Sequence, residues 1–137
     1  MTMHVFDQAI SLDTVAPGQF VGRTHPAYAN MIGPFGGITA ATLVQAIMRH
    51  PQRLGEPLSL TVNYAGALGD GPFELQVTPV RTNRSTQHWT ITMLQNDAEG
   101  APVVTTTATA VTAARRETWS VSDVPMPRVP APAEVAP

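Results

Sequence analysis

The 137-residue chain has no cysteine, so a disulfide framework, a thiolate metal site and a cysteine nucleophile are all excluded. It has no lysine either: eight arginines stand against ten acidic residues, for a formal charge of -2. That balance gives no basic field of the kind nucleic acid needs. No window approaches 18 apolar residues, and Met1-Thr2-Met3-His4 lacks the charged and apolar regions of a secretory signal. The expectation is a cytoplasmic protein that works neither on nucleic acid nor in a membrane. At this length there is room for one domain around one core.

Glycine and proline are present but unevenly placed. Gly33-Pro34-Phe35-Gly36-Gly37 opens the one convincing helical pattern, Ile38 to His50, which is apolar on most of its circumference. Thr39, Thr42, Gln45 and Arg49 make a narrow polar stripe, so the helix is expected to be wrapped by sheet until Pro51 stops it. Because it starts on paired glycines, its first N–H groups and the positive end of its dipole stand clear of side chains. They are open to a polarised carbonyl or an anion.

Upstream, His4 to Leu12 reads as an arm or short helix and Gln19 to Arg23 as a brief strand. Tyr28, Asn30, Met31 and Ile32 form an apolar loop suited to lining a pocket. From Leu58 the period changes to two: Leu58, Leu60, Val62 and Tyr64, then Phe73, Leu75 and Val77, then Trp89, Ile91 and Met93, with Val103 to Thr112 last. Short connections make the long strands antiparallel neighbours, and Pro79 marks a bulge or an edge. From Val124 to Pro132 proline recurs at nearly every second or third place, which excludes a helix or a central strand and reads as a linker or disordered end. The expected division is one folded unit over residues 1–115 and a tail over 116–137.

The order of strand, glycine turn, buried helix and antiparallel strands resembles the hotdog fold, an α+β arrangement in which an antiparallel sheet wraps one central helix. Pro34-Phe35-Gly36-Gly37-Ile38-Thr39-Ala40-Ala41 resembles the helix start of acyl-CoA thioesterase II (TesB-like) proteins, and Leu58-Ser59-Leu60-Thr61 resembles the strand that follows. Arg81-Thr82-Asn83-Arg84-Ser85 with Gln95 is similar to that family's arginine hairpin and downstream glutamine, with Asn83 at the hairpin glycine. The likeness runs from about Phe6 to Thr112 and is to the first of two tandem hotdogs. It implies hydrolysis of fatty or other acyl-CoA thioesters in lipid metabolism, with no cofactor and no metal. The family's catalytic aspartate, threonine and glutamine come mainly from the second hotdog, so the resemblance also implies a partner hotdog, as a homodimer or a tandem half. The proline tail resembles the family's inter-domain linker, which would make the chain an N-terminal half.

Thioester hydrolysis needs donors where the oxyanion forms and a group that activates or orients water. Backbone N–H groups of Gly36 and Gly37 meet the first need as an oxyanion hole, and Thr39, Thr42 or Asn63 could orient water. Threonines on buried helices, however, more often bond the preceding turn. Met31, Ile32, Phe35 and Met48 suit an acyl site, and Arg81 and Arg84 suit the phosphates of coenzyme A. No Asp or Glu lies on the helix, so a general base is missing from the expected place. The alternative is therefore a non-catalytic hotdog that binds acyl-CoA or serves assembly. Among the histidines, His4 and His50 are expected at the surface and His88 beside Trp89, while His25 precedes the loop that leads to the helix.

Overall fold

A computed structural model describes residues 3–135. Its elements are α1 (Val5–Ala9), β1 (Leu12–Ala16), β2 (Gln19–Arg23), a 3-10 turn (Pro26–Tyr28), α2 (Gly36–Met48), β3 (Glu56–Tyr64), β4 (Pro72–Thr82), β5 (Thr86–Asn96) and β6 (Pro102–Ala113), with a short 3-10 turn at Pro132–Glu134. The six strands form one antiparallel sheet in the order β1-β2-β4-β5-β6-β3. This is the α+β hotdog arrangement, with α2 packed on the sheet.

Alternation decides which face each strand residue takes. Phe73, Leu75 and Val77 on β4, Trp89, Ile91 and Met93 on β5, and Ala108 and Ala110 on β6 are buried together. Alpha-helix α2 answers with Ile38, Thr39, Thr42, Leu43, Ala46 and Ile47, a spacing that sums to one stripe of a 3.6-residue helix. Full burial of Leu43 and Ile47 contributes about 1.5–3 kcal/mol each. Thr42 tolerates burial because its hydroxyl donates to the Ile38 carbonyl at 2.9 Å.

The expected wrapping of the helix needs correction. Thr39 and Thr42, read from the sequence as part of a polar stripe, face the sheet, while Ala40, Ala41, Val44 and Met48 are only half-buried. One sheet covers one side of a helix, and the apolar remainder is uncovered. The helix also begins and ends two residues before the expected positions. The Phe35 carbonyl collects the N–H groups of Ile38 and Thr39, and Arg49 and His50 close the last turn on Gln45 and Ile47 before Pro51.

Three further features have local causes. Strand β1 was not expected, because Leu12 is its one fully buried residue and five residues carry little periodic signal. Pro79 marks a bulge and sits where β4 has no neighbour on its other side: register slips between Pro79 and Arg81 against β5, and β2 pairs β4 only from Pro72 to Gln76. Strands β4, β5 and β6 form the expected meander, but β3 pairs with β6 at the far edge instead of lying beside β4. At about 3.3 Å per residue the short β3–β4 loop reaches across two strands. It is tied to both on the way, by Gly66 N–H to the Thr105 carbonyl at 2.9 Å and by the Gln95 side chain, which bonds Gly69 N–H at 2.9 Å and the Gly69 carbonyl at 3.0 Å.

Beyond Ala114 the described residues are exposed, Trp119, Met126 and Val129 included. No helix among the described residues is long and apolar enough to cross a membrane.

His50, expected at the surface, is buried. Its ring lies edge-on to Trp89 with centroids 5.0 Å apart, and its Nδ1 accepts the Gln52 N–H at 3.1 Å. Burial holds its pKa below the ordinary 6.5. A depressed histidine favours the fold above the unfolded value, and that stability is lost as pH falls through about 6.5 toward the folded value. Thermal unfolding from about pH 7.5 to about pH 5.5 should therefore show a falling midpoint, and a His50→Asn variant, which keeps an acceptor but cannot titrate, should show a shallower fall. Equal slopes would remove His50 from the pH dependence.

Candidate functional site

The glycine turn meets the sheet where β3 ends. Phe35 caps α2 with no side-chain bond, and its N–H donates to the Tyr28 carbonyl at 2.8 Å. Of the four N–H groups that have no i−4 partner at a helix start, that of Phe35 goes to Tyr28 and that of Ile38 turns back to the Phe35 carbonyl, where Thr39 makes the first regular helical bond. Those of Gly36 and Gly37 make no backbone bond among the described residues. The Tyr64 hydroxyl donates to the Gly36 carbonyl at 2.6 Å and thereby ties the helix start to the end of β3. A Cβ at Gly36 would come within 3.0 Å of that hydroxyl, so glycine permits the approach.

Beside this contact lies a groove of about 270 Å³, bordered by Asn30, Ile32, Gly36, Thr39, Tyr64 and Thr106 among others. Its polar side chains are the hydroxyls of Thr39, Tyr64 and Thr106 and the amide of Asn30; none of its lining residues is a carboxylate or an imidazole. Asn30 shapes the approach, its Oδ1 accepting the N–H groups of Ile32 and Gly33 at 2.9 and 3.2 Å. Thr39 is also a wall of a narrow void beneath α2, shared with His25, Ile38, Phe73 and Met93, which has space for about one water. His25 caps the 3-10 turn, its Nδ1 accepting the Ala27 N–H at 3.2 Å.

The structure thus brings Gly36, Thr39 and Ile32 together and places other expected residues elsewhere. The Phe35 ring lies against Gly37, where an added Cβ would come within 2.8 Å of the ring's Cζ atom. Met31 is fully exposed and does not border the groove. Asn63 follows β3 alternation onto the face opposite Tyr64. Met48 ends α2 at the other end of the helix. Arg81 and Arg84 sit on the β4–β5 hairpin, beside the turn after α2 that Gln87 holds through Leu54 N–H at 2.7 Å and the Gln52 carbonyl at 3.0 Å. The 13 residues of α2 separate that hairpin from the glycine turn by about 20 Å. Tyr64 and Thr106 were not expected at the site. Tyr64 was read as a core position at the end of an alternating run, although a tyrosine's polar tip asks for a partner.

Comparison with known proteins gives a consistent family. Residues 25–113 match the model of the acyl-CoA thioesterase N-terminal domain. A conserved protein of unknown function with hot dog fold from Alicyclobacillus acidocaldarius is 52% identical over 98% of this chain and 49% of its own, with a TM-score of 0.85. At 23% and 18% identity, a tesB protein of Mycobacterium avium subsp. paratuberculosis and the acyl-CoA thioesterase II TesB2 of Mycobacterium marinum share the fold, with TM-scores of 0.73 and 0.71. They are covered over 93% and 94% of this chain and 48% and 46% of theirs. No curated protein matches. The chain spans about half the length of these solved relatives.

Removing the Tyr64 hydroxyl tests the tie at the helix start. Tyr64→Phe should cost about 1 kcal/mol or less in unfolding experiments, since the ring is half-exposed, yet weaken binding of a non-hydrolysable acyl-CoA thioether about five-fold by calorimetry. Unchanged affinity would separate the groove from the ligand.

Proposed function

The chain belongs to the acyl-CoA thioesterase N-terminal domain family, and from that premise we propose that its glycine turn receives the thioester of an acyl-CoA and hydrolyses it together with a second hotdog unit. The observation that carries the reading is the coincidence of three features. Gly36 and Gly37 present N–H groups without backbone partners, Tyr64 fixes the turn, and a groove of about 270 Å³ runs past the turn and the Thr39 and Thr106 side chains.

In this reading the thioester oxygen lies against the start of α2. A single well-aimed donor there lowers the barrier by roughly 2.7–4 kcal/mol in comparable sites. Thr39 orients the attacking water and Ile32 meets the acyl chain at the groove, with Phe35 and Met31 beside the turn; Arg81 and Arg84 lie about 20 Å away along α2, a span the pantetheine arm and diphosphate must cross for those guanidinium groups to meet the phosphates. Water adds to the carbonyl carbon and gives up its proton to a base. The tetrahedral intermediate then expels the coenzyme A thiolate, which is protonated as it leaves. The base is the missing part, because the groove has no carboxylate, and the second hotdog supplies it. Residues 1–115 act as the folded unit and 116–137 as an extended linker or tail.

The open edge supports a partner. Past Glu56, Pro57 and the register shift between Pro57 and Ser59, strand β3 carries no charged residue up to Tyr64, and Leu58 and Tyr64 expose 69% and 55% of their surface. Charge, proline and a bulge protect the start of this edge, and its uncharged remainder from Ser59 to Tyr64 is open to pairing with another strand. The absent carboxylate specifically favours a second reading, a hotdog that holds acyl-CoA without cleaving it.

A thiol-trapping assay with medium-chain and aromatic acyl-CoAs decides between the two. Hydrolysis predicts thiol release that Thr39→Val lowers about tenfold or more with little change in affinity. Tight binding with no thiol released at any protein concentration would leave the binding reading alone standing.

A further inference from the structure

Two cavities meet behind the glycine turn. The open groove beside Gly36 and the narrow void beneath α2 share three wall residues, Pro34, Thr39 and Leu68. On the groove side the neighbours are polar, with the hydroxyls of Tyr64 and Thr106 and the amide of Asn30. On the void side Ala9, Ile38, Phe73 and Met93 are apolar and buried. Thr24 and His25 close the far side, each already bonded: Thr24 Oγ1 accepts the Gly71 N–H at 2.8 Å and His25 Nδ1 the Ala27 N–H at 3.2 Å.

The partition has two members that differ in chemistry. Thr42 gives its hydroxyl to the Ile38 carbonyl, whereas the Thr39 hydroxyl has no hydrogen-bond partner among the described residues. No sealed side-chain oxygen among them lacks a partner, so that of Thr39 opens on the cavity. Leu68 is the other member. Residues 65–71 of the β3–β4 loop are otherwise alanine, glycine and aspartate, and Leu68 alone packs on the core. The loop is held by bonds that do not involve its side chain: Gly66 N–H to the Thr105 carbonyl, Gln95 on both polar groups of Gly69, and Gly71 N–H on Thr24. Gly33 closes on it from outside, where a Cβ would come within 2.6 Å of the Leu68 carbonyl. Trimming Leu68 therefore joins groove and void while every tether of the loop stays in place.

Helix geometry relates the two spaces. At about 1.5 Å per residue, Thr39 stands about 4.5 Å along the axis from Gly36, so an acyl group with its carbonyl at the Gly36 and Gly37 N–H groups meets the partition at about its fourth carbon. Beyond it the void has space for about one water, and hence for about one carbon. Each methylene that leaves water for such an apolar site tightens binding about four-fold. Further carbons stay in the open groove and add little.

We propose that the void is the subsite for the end of the acyl chain and that Leu68 sets how many acyl carbons contribute to binding, which selects short-chain acyl-CoA thioesters of about four to five carbons. The proposal rests on the acyl-CoA reading above.

Calorimetry with coenzyme A thioethers that keep the carbonyl, in a series of acetyl, butyryl, hexanoyl and octanoyl analogues, tests this. Wild type should bind the butyryl analogue about tenfold more tightly than the acetyl one, with hexanoyl and octanoyl within about two-fold of butyryl. Leu68→Ala removes about three carbons from the partition and should raise the octanoyl-to-butyryl affinity ratio about tenfold or more. Leu68→Val, which removes about one carbon, should raise the hexanoyl-to-butyryl ratio about four-fold and serves should Leu68→Ala fail to fold. A wild-type affinity that climbs steadily through octanoyl, or ratios that the folded Leu68 variants leave unchanged, would overturn the proposal and leave the acyl-CoA reading standing. Wild type that binds no analogue of any length would overturn that reading and the proposal with it.

Discussion

Burial of one stripe of α2 on the concave side of the sheet is the interaction on which everything else depends. Leu43, Ala46 and Ile47 reach 1% exposure or less against Trp89, Ile91 and Leu75, and that packing fixes the height and rotation of the helix. Because the helix cannot roll, Gly36 is held at the rim of the sheet, within reach of the Tyr64 hydroxyl. The same packing leaves Ala40, Ala41, Val44 and Met48 half-covered. A fold that uses one sheet for a helix apolar on all sides is saturated on one face and open on another.

The direction of the helix then divides the chemistry. Its N-terminal end, with glycine N–H groups and threonine hydroxyls, suits a developing oxyanion. Its C-terminal end is enclosed by His50, Gln52 and Gln87 and bears the arginine hairpin. Helix length keeps these two apart within a chain.

Much of this was legible in the residues. The paired glycines before an apolar run marked the helix start, period-two alternation marked the meander, and the thioesterase resemblance agrees with the family match. What was not legible depended on contacts between distant segments. Strand β3 looked like a neighbour of β4 because the loop is short, and only the Gln95 and Gly66 bonds carry that loop across two strands. His50 looked like a surface residue beside a proline, since no local signal tells of Trp89 packing on it. Thr39 and Thr42 looked polar-facing, but the stripe that fits the sheet includes them. Asn63 was one residue out of phase with the groove, and in a strand one residue is a change of face.

Completion of the proposed site by a second hotdog unit makes mass and ligand binding inseparable, and sedimentation equilibrium with titrated acyl-CoA thioether measures both on one sample. The account predicts twice the 14.6 kDa chain mass for wild type, with binding. For Leu58→Asp, which puts a charge on the exposed edge, it predicts the single-chain mass with an intact fold and binding lost. A wild-type chain that sediments at 14.6 kDa and still binds at full affinity would contradict it.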